Sequence, residues 1–197
     1  KLTKTFNYDH SGRLLSIDQN LIYDNIDKGT TLISELTYND IGQLQSKKLY
    51  GGSANTLLQT VDYSYNIRGW LTSINNGTLS NGDFFFLFLY YETIPSGTNA
   101  PLCEPQFNGN ISSILWKSFG DTKTNAYGYH YDGLNRLEKA DYANKDDAGT
   151  WTNTLALGET DISYDKNGNI LALKRYDNAG TMIDNLTYTY GTTNILQ

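Results

Sequence analysis

The stretch YDHSGRL at residues 8–14 decides the fold of this chain. Apolar Phe6 lies two positions before Tyr8 with a polar residue between them, and a period of two residues is typical of a strand with one buried face. The Asp9 side chain can accept backbone N–H bonds two residues on, and Gly12 can adopt a positive φ without steric cost. Because Leu14 then begins a second apolar alternation, this stretch predicts a β-hairpin.

The same pattern recurs along the chain, anchored on six tyrosines that are 26 to 33 residues apart except for one gap of 66 residues. The doubled gap predicts a degenerate copy, which we place through Gly109 and Ile111. In the other copies Asp or Asn usually follows the anchor, Gly or Asn stands four residues after it, and Leu or Ile stands six residues after it. The positions that we predict to be repeat-defining and structural are Tyr8, Asp9, Gly12, Leu14, Tyr38, Asn39, Gly42, Leu44, Tyr65, Asn66, Gly69, Leu71, Gly109, Ile111, Tyr131, Asp132, Asn135, Leu137, Tyr164, Asp165, Gly168, Ile170, Tyr190, Asn194 and Leu196.

Repetition at this period predicts hairpins that stack on their neighbours. We expect an all-β fold, an antiparallel meander of about fourteen strands that curls into a partial spiral shell, because so many twisted strands do not stay flat. Residues 1–197 would form a single array of about seven copies, with an insertion at residues 92–106. A tandem propeller is the alternative fold, but its blades usually need about 40 residues, which is longer than most of these spacings.

The motif Tyr-Asp-x-x-Gly-Arg-Leu resembles the YD repeat of Rhs proteins, toxin-complex C subunits and teneurins. Residues 8–14 match it completely, residues 131–137 differ in having Asn135 in place of glycine, and residues 164–170 are a near match. The resemblance implies a β-spiral shell in a secreted or cell-surface protein, with a bacterial source suspected. Its implied partners are the remainder of a longer parent chain and either an enclosed effector or a surface glycan or protein. Because the sequence starts at Lys1 rather than at methionine, we expect it to be a processed or excised piece.

Composition argues against several classes of function. The formal net charge is −6 and no stretch gathers lysines and arginines, so neither nucleic acid nor an anionic membrane surface is expected as a partner. The longest apolar run, residues 84–91, is far shorter than the roughly 20 residues that a transmembrane helix requires. We therefore expect no membrane span, and we read this run as the incoming strand of the degenerate copy.

Few residues are candidates for chemistry. His10 and His130 occupy positions that hold other residue types in the other copies, and no local pattern links them to Cys103, so we predict that the chain is not an enzyme. The self-cleaving region of the resembled family carries an Asp-Pro motif, and no Asp-Pro pair occurs here. Residues 165–169 resemble a calcium loop only superficially, because position twelve is Tyr176 rather than Glu and strands flank the loop. We expect a turn there, without a metal or another cofactor.

Two interpretations of the anchor tyrosines remain open. Their rings could stack on sugars, or they could pack across strands against Tyr and Leu, and their strict register with the aliphatic position favours packing. Residues 92–106 could plug, cap or contact a partner, or could be a drifted surface loop. We expect a non-enzymatic structural repeat segment; the alternative is a carbohydrate- or protein-binding module that uses exposed aromatics or the insertion.

Overall fold

The structure, a computed structural model, describes residues 1–51, 56–79, 83–97 and 100–191. Asn194 and Leu196 lie outside these ranges. The described residues form strands and no helix, and the strands are β1 (Leu2–Tyr8), β2 (Leu14–Tyr23), β3 (Ile26–Tyr38), β4 (Leu44–Gly51), β5 (Thr56–Tyr65), β6 (Leu71–Ile74), β7 (Phe85–Tyr90), β8 (Ser113–Ser118), β9 (Thr124–Tyr131), β10 (Leu137–Lys145), β11 (Trp151–Asn153), β12 (Glu159–Tyr164), β13 (Ile170–Tyr176) and β14 (Met182–Thr187). The chain divides into two compact units, residues 1–87 and residues 88–197, and β7 spans the division.

Antiparallel pairing in chain order organises each unit. In the first unit, β1 to β6 pair consecutively, a longer succession than the four strands of a propeller blade. In the second unit, β8 pairs with β9 and β9 with β10, while β10 pairs with both the short β11 and β12; β13 and β14 follow in order. The predicted all-β antiparallel meander of hairpins is confirmed. Among the described residues, no helix is long and apolar enough to cross a membrane.

The anchor tyrosine of each described hairpin lies directly across from the apolar residue six positions later. The register shifts by one residue beside this pair, which is the mark of a β-bulge that bends the strand and increases its twist. The cross-strand pairs are Tyr8–Leu14, Tyr38–Leu44, Tyr65–Leu71, Tyr131–Leu137 and Tyr164–Ile170.

The turn between each pair is held by the residue that follows the anchor. Asp9 Oδ1 accepts the backbone N–H of Ser11 at 2.8 Å and that of Arg13 at 2.9 Å. Its own backbone N–H donates to the Arg13 carbonyl, and Gly12 N–H donates to the Asp9 carbonyl. The bond from the fourth residue after it recurs at the equivalent side chains Asn39, Asn66, Asp132 and Asp165.

The predicted left-handed residue closes this turn. Gly12 has a φ of 78° and Asn135, which replaces glycine in its copy, has a φ of 64°. Asparagine tolerates this region better than most residues with a Cβ, because its short polar side chain bonds locally. The local geometry therefore explains why the position holds only Gly or Asn.

Burial differs between the units. Ala126 and Ala143 in the second unit have no exposed surface, and Trp151 is 3% exposed. Most anchor tyrosines are half-buried, whereas Tyr8 is 59% exposed and departs from the expectation of a buried anchor. The physical reason is that β1 pairs with β2 alone among the described strands, so no neighbouring repeat covers the ring.

Candidate functional site

The anchor tyrosines join successive repeats through their hydroxyl groups. Tyr38 Oη donates to the backbone carbonyl of Leu14, which is the apolar residue six positions after the anchor of the preceding copy, at 2.8 Å. The same bond recurs at every later described anchor. We call this set the tyrosine ladder: Tyr38 to Leu14, Tyr65 to Leu44 (3.0 Å), Tyr131 to Ile111 (2.8 Å), Tyr164 to Leu137 (2.7 Å) and Tyr190 to Ile170 (2.9 Å).

The degenerate copy takes part in the ladder as an acceptor. The carbonyl that Tyr131 binds belongs to Ile111, the residue that the spacing assigned to the position six after a missing anchor. Gly109 has a φ of 98°, and the residues at the equivalent position of the other described copies also have a positive φ. The insertion at residues 92–106 separates the incoming strand from Gly109, so the usual spacing of four residues between anchor and glycine is not kept in this copy. This copy therefore accepts a ladder bond from the repeat that follows it.

The arginine of the motif links its own turn to the next repeat. Arg136 Nη2 lies 2.6 Å from Asp132 Oδ2, and its Nη1 donates to the backbone carbonyl of Asp165 at 3.0 Å. The guanidinium lies over the ring of Tyr164, 4.5 Å from the ring centre. A cation over an aromatic face is attracted by the electron density of the ring, so one side chain holds two neighbouring copies together.

Arg13 makes two of these three contacts in the first unit. Its Nε lies 2.7 Å from Asp9 Oδ2, and its guanidinium lies 4.9 Å from the centre of the Tyr38 ring. In the next copy Gln43 fills this position and donates to the carbonyl of Gly69 at 3.3 Å. Sequence reasoning missed this role. The signal was the Asp and Arg four residues apart in the best-matching copies, since a carboxylate at that spacing can orient a guanidinium across a tight turn.

The turn carboxylates are held in their ionised form. Hydrogen bonds from the backbone N–H of Arg136 and then from its side chain lower the pKa of Asp132 below its ordinary value of 3.8, although burial opposes the shift. Asp9 has a lowered pKa through the same contacts with Arg13. The pKa of Asp165 is lowered chiefly by the side-chain amide of Asn169. These oxygens are therefore occupied by the turn.

The described part of the insertion, residues 92–97 and 100–106, packs against strands of the second unit, to which it belongs. Pro95, Pro101 and Cys103 are buried. Trp151 Nε1 donates to the carbonyl of Ser96 at 3.3 Å, so the most buried indole of the chain is tied to the insertion. The segment is therefore a packed covering of the sheet and not a loose surface loop.

Small residues on the strands make room for this covering. A Cβ added to Gly128 would lie 2.5 Å from the backbone oxygen of Leu102, far inside van der Waals contact. Ala126 and Ala143 face each other across β9 and β10 and are fully buried. These residues lie on the face of the strands opposite to the anchors. The repeat pattern alone predicts that face to be polar.

Of the three residues considered for chemistry, Cys103 and His130 both lie near Asp141, but no hydrogen bond joins the two in the described part of the chain. Burial raises the pKa of Cys103 to about 11, with further contributions from the charges of Glu104 and Asp141, so the thiol is protonated at neutral pH. Its Sγ contacts the carbonyl of Pro101. His130 Nε2 instead lies 3.0 Å from Asp141 Oδ2, and His10 is exposed in the first turn. Within the described ranges, no group of three or more His, Cys, Asp or Glu side chains is arranged to hold a metal ion.

Comparisons with known proteins give structural matches alone. No family model matches the sequence, and no curated protein matches it. Among solved structures 27 chains match, including one from "Crystal Structure of TcdB2-TccC3-Cdc42", with a TM-score of 0.32 and 14% sequence identity. The match covers 99% of this chain and 12% of that chain, so this chain spans a small part of the length of its structural neighbour.

Proposed function

We propose that this chain is a non-enzymatic structural repeat segment of the kind that forms the wall of a YD-repeat shell. The observation that carries the proposal is the tyrosine ladder, in which each described anchor after Tyr8 donates its hydroxyl to the backbone of the preceding copy. A side chain bonded in this way joins repeats and has no donor left for a substrate.

The energetics support a wall that is built by contacts between neighbours. Each ladder bond contributes a net stabilisation of about 1 kcal/mol, and leaving its carbonyl unsatisfied would cost more than the bond itself contributes. The guanidinium–ring contacts of Arg13 and Arg136 each add about 0.5–1 kcal/mol at such partly exposed sites. Stability in a repeat array of this kind is approximately a sum of contributions within repeats and between nearest neighbours.

The setting of the wall forms the second part of the proposal. We propose that residues 1–197 form one array of about seven copies with an insertion at residues 92–106, and that the meander curves into a partial spiral shell. Its parent would be a longer secreted or cell-surface protein that encloses an effector or contacts a surface partner. The support for this part is the motif, which residues 8–14 match completely and residues 131–137 match with one change.

Replacing Tyr131 and Tyr164 with Phe tests the structural role against the carbohydrate-binding alternative. The change removes two ladder hydroxyls and keeps both rings, which would still stack on a sugar. We expect the free energy of unfolding of the second unit to fall by about 2 kcal/mol in urea titrations. A glycan array probed with the unmodified chain should give no saturable binding. Binding that survives Tyr→Phe and is lost on Tyr→Leu, with unchanged stability in the Phe variant, would favour the carbohydrate-binding module.

A further inference from the structure

Three aromatic rings of the second unit stack in a row on the side of the sheet that carries the anchors. Trp116 on β8 stacks on Tyr127 with ring centres 5.7 Å apart and planes inclined by 18°. Tyr127 in turn stacks on Tyr129 at 6.1 Å and 20°. We call these three rings the aromatic platform. None of them is an anchor of the repeat, so the tyrosine ladder does not account for their arrangement.

A cavity of about 220 Å³ opens beside the platform. Its lining consists of Tyr127, Tyr129, Leu137, Ala140 and Glu159. Glu159 is the sole charged residue in this lining, and it is half-buried on β12 opposite Ala140. The cavity therefore combines two phenol rings, an aliphatic wall and one carboxylate.

The Glu159 carboxylate has no hydrogen-bond or ion-pair partner in the part of the chain that the structure describes. Arg175 faces it across β12 and β13, but the guanidinium of Arg175 pairs with Asp184 instead. A bound cation would give this carboxylate the partner that the described part of the chain does not supply. The motif carboxylates Asp9, Asp132 and Asp165, by contrast, are all hydrogen-bonded within their own turns.

The field inside the cavity favours positive charge. Aromatic faces attract cations, and a carboxylate adds a full negative charge at the same place. Burial raises the pKa of Tyr129 to about 12, with smaller contributions from the nearby phenols and from the charge of Glu159. The phenols therefore stay neutral, and the negative charge of Glu159 acts close to their rings. The net charge of −6 adds a weak long-range attraction for cations.

We propose that this cavity binds an organic ammonium group, held by Glu159 beside the rings of Tyr127 and Tyr129 that line it. Two sources share this chemistry, a quaternary ammonium head group of the choline type and the side chain of a lysine on a bound polypeptide. The volume admits either group. This binding site goes beyond the structural role proposed above and does not depend on it.

The test titrates the full chain with choline and with N-acetyl-lysine methylamide while the tyrosine ring resonances are followed by NMR. We expect saturable shifts at Tyr127 and Tyr129 with a dissociation constant in the millimolar range, and the tighter ligand identifies the source. The neutral choline isostere 3,3-dimethylbutan-1-ol should bind at least fivefold more weakly. Absence of binding by both ammonium probes, or equal binding of the neutral isostere, would overturn the proposal.

Variants locate the binding groups. Glu159→Gln keeps the shape of the side chain and removes its charge, so affinity should fall about fivefold, the upper range for a partly exposed ion pair. Glu138→Gln removes an exposed charge from the neighbouring strand and should leave affinity unchanged. Tyr129→Phe keeps the ring and should retain binding, whereas Tyr129→Leu should weaken it. An unchanged affinity in Glu159→Gln, or tighter binding of a neutral sugar such as glucose that is insensitive to this change, would refute the ammonium site.

Discussion

Replacement of Tyr38 by Phe isolates one bond of the tyrosine ladder. The change removes the hydroxyl that donates to the Leu14 carbonyl at 2.8 Å and keeps the ring on which Arg13 lies. Tyr8 provides a matched control in the same unit, because it occupies the same motif position, is 59% exposed, and has no described repeat before it.

The magnitude follows from the environment of the bond. Tyr38 is half-buried, so water does not fully replace the lost donor, and the net cost of removing one neutral hydrogen bond is about 1 kcal/mol. That cost increases the equilibrium constant for opening about fivefold. The control Tyr8→Phe should change the free energy of unfolding by less than about 0.5 kcal/mol, as is usual for an exposed side chain without a partner.

Native-state hydrogen exchange of the β2, β3 and β4 amides measures the effect, because it reports the stability of the first unit separately. Exchange in these strands should accelerate about fivefold in Tyr38→Phe and hardly at all in Tyr8→Phe. Equal acceleration in the two variants would show that the hydroxyl bond does not hold the repeats together, and the reasoning behind the ladder would be refuted.

Three further predictions concern the second unit. Arg136→Lys keeps the charge but removes the planar guanidinium, which stacks on a ring and donates two hydrogen bonds at once. The free energy of unfolding in urea should therefore fall by about 1 kcal/mol, and an unchanged midpoint would contradict this. Because the pKa of Asp132 is lowered in the folded chain, ionised Asp132 stabilises the fold fully above its ordinary pKa of 3.8, and this stabilisation is lost as the pH falls through the folded-state pKa. Acid unfolding followed by circular dichroism should therefore be less steep in Asp132→Asn than in the unmodified chain. Identical acid profiles would contradict this prediction. Gly128→Ala forces a Cβ against the backbone of the insertion, so it should destabilise the unit by about 1–3 kcal/mol and speed the labelling of Cys103 by a thiol reagent. The control Gly133→Ala, where an added Cβ meets open space, should change neither quantity.

The hairpins could be predicted because each motif residue imposes a local requirement. Asp9 closes a turn through its own side chain, and the positive φ at Gly12 and Asn135 restricts those positions to few residue types. The alternation before each anchor fixes which side chains share a face, so the pairing of Tyr8 with Leu14 follows from the spacing.

The same turn also occurs at the opposite end of a hairpin, where the sequence alignment did not place it. Asp177 accepts the backbone N–H groups of Ala179 and Thr181, each at 2.8 Å, and Gly180 has a φ of 77°. The stretch YDNAGTM at residues 176–182 carries the signal, but an alignment anchored on one end of the hairpins passes over it.

The packing of the insertion could not be predicted from local rules. Trp151 and Ser96 are bonded to each other although they are 55 residues apart, and no turn or alternation encodes that contact. The sequence signal for this packing is faint: Ala126 and Gly128 are small residues at positions where the other copies have larger ones. The cavity beside Glu159 could not be predicted either, because its lining comes from three strands and the repeat pattern does not say where neighbouring strands leave a space between them.

The acceptor in every ladder bond is a main-chain carbonyl, which has a consequence for how such a chain can change over evolutionary time. A carbonyl is the same group whether its residue is Leu14, Ile111 or Ile170, so a donor tyrosine recognises any neighbour that has the right backbone path. Hairpins from different places in the gene could then be duplicated, exchanged or deleted without a matching change elsewhere, and the joint between old and new copies would form at once.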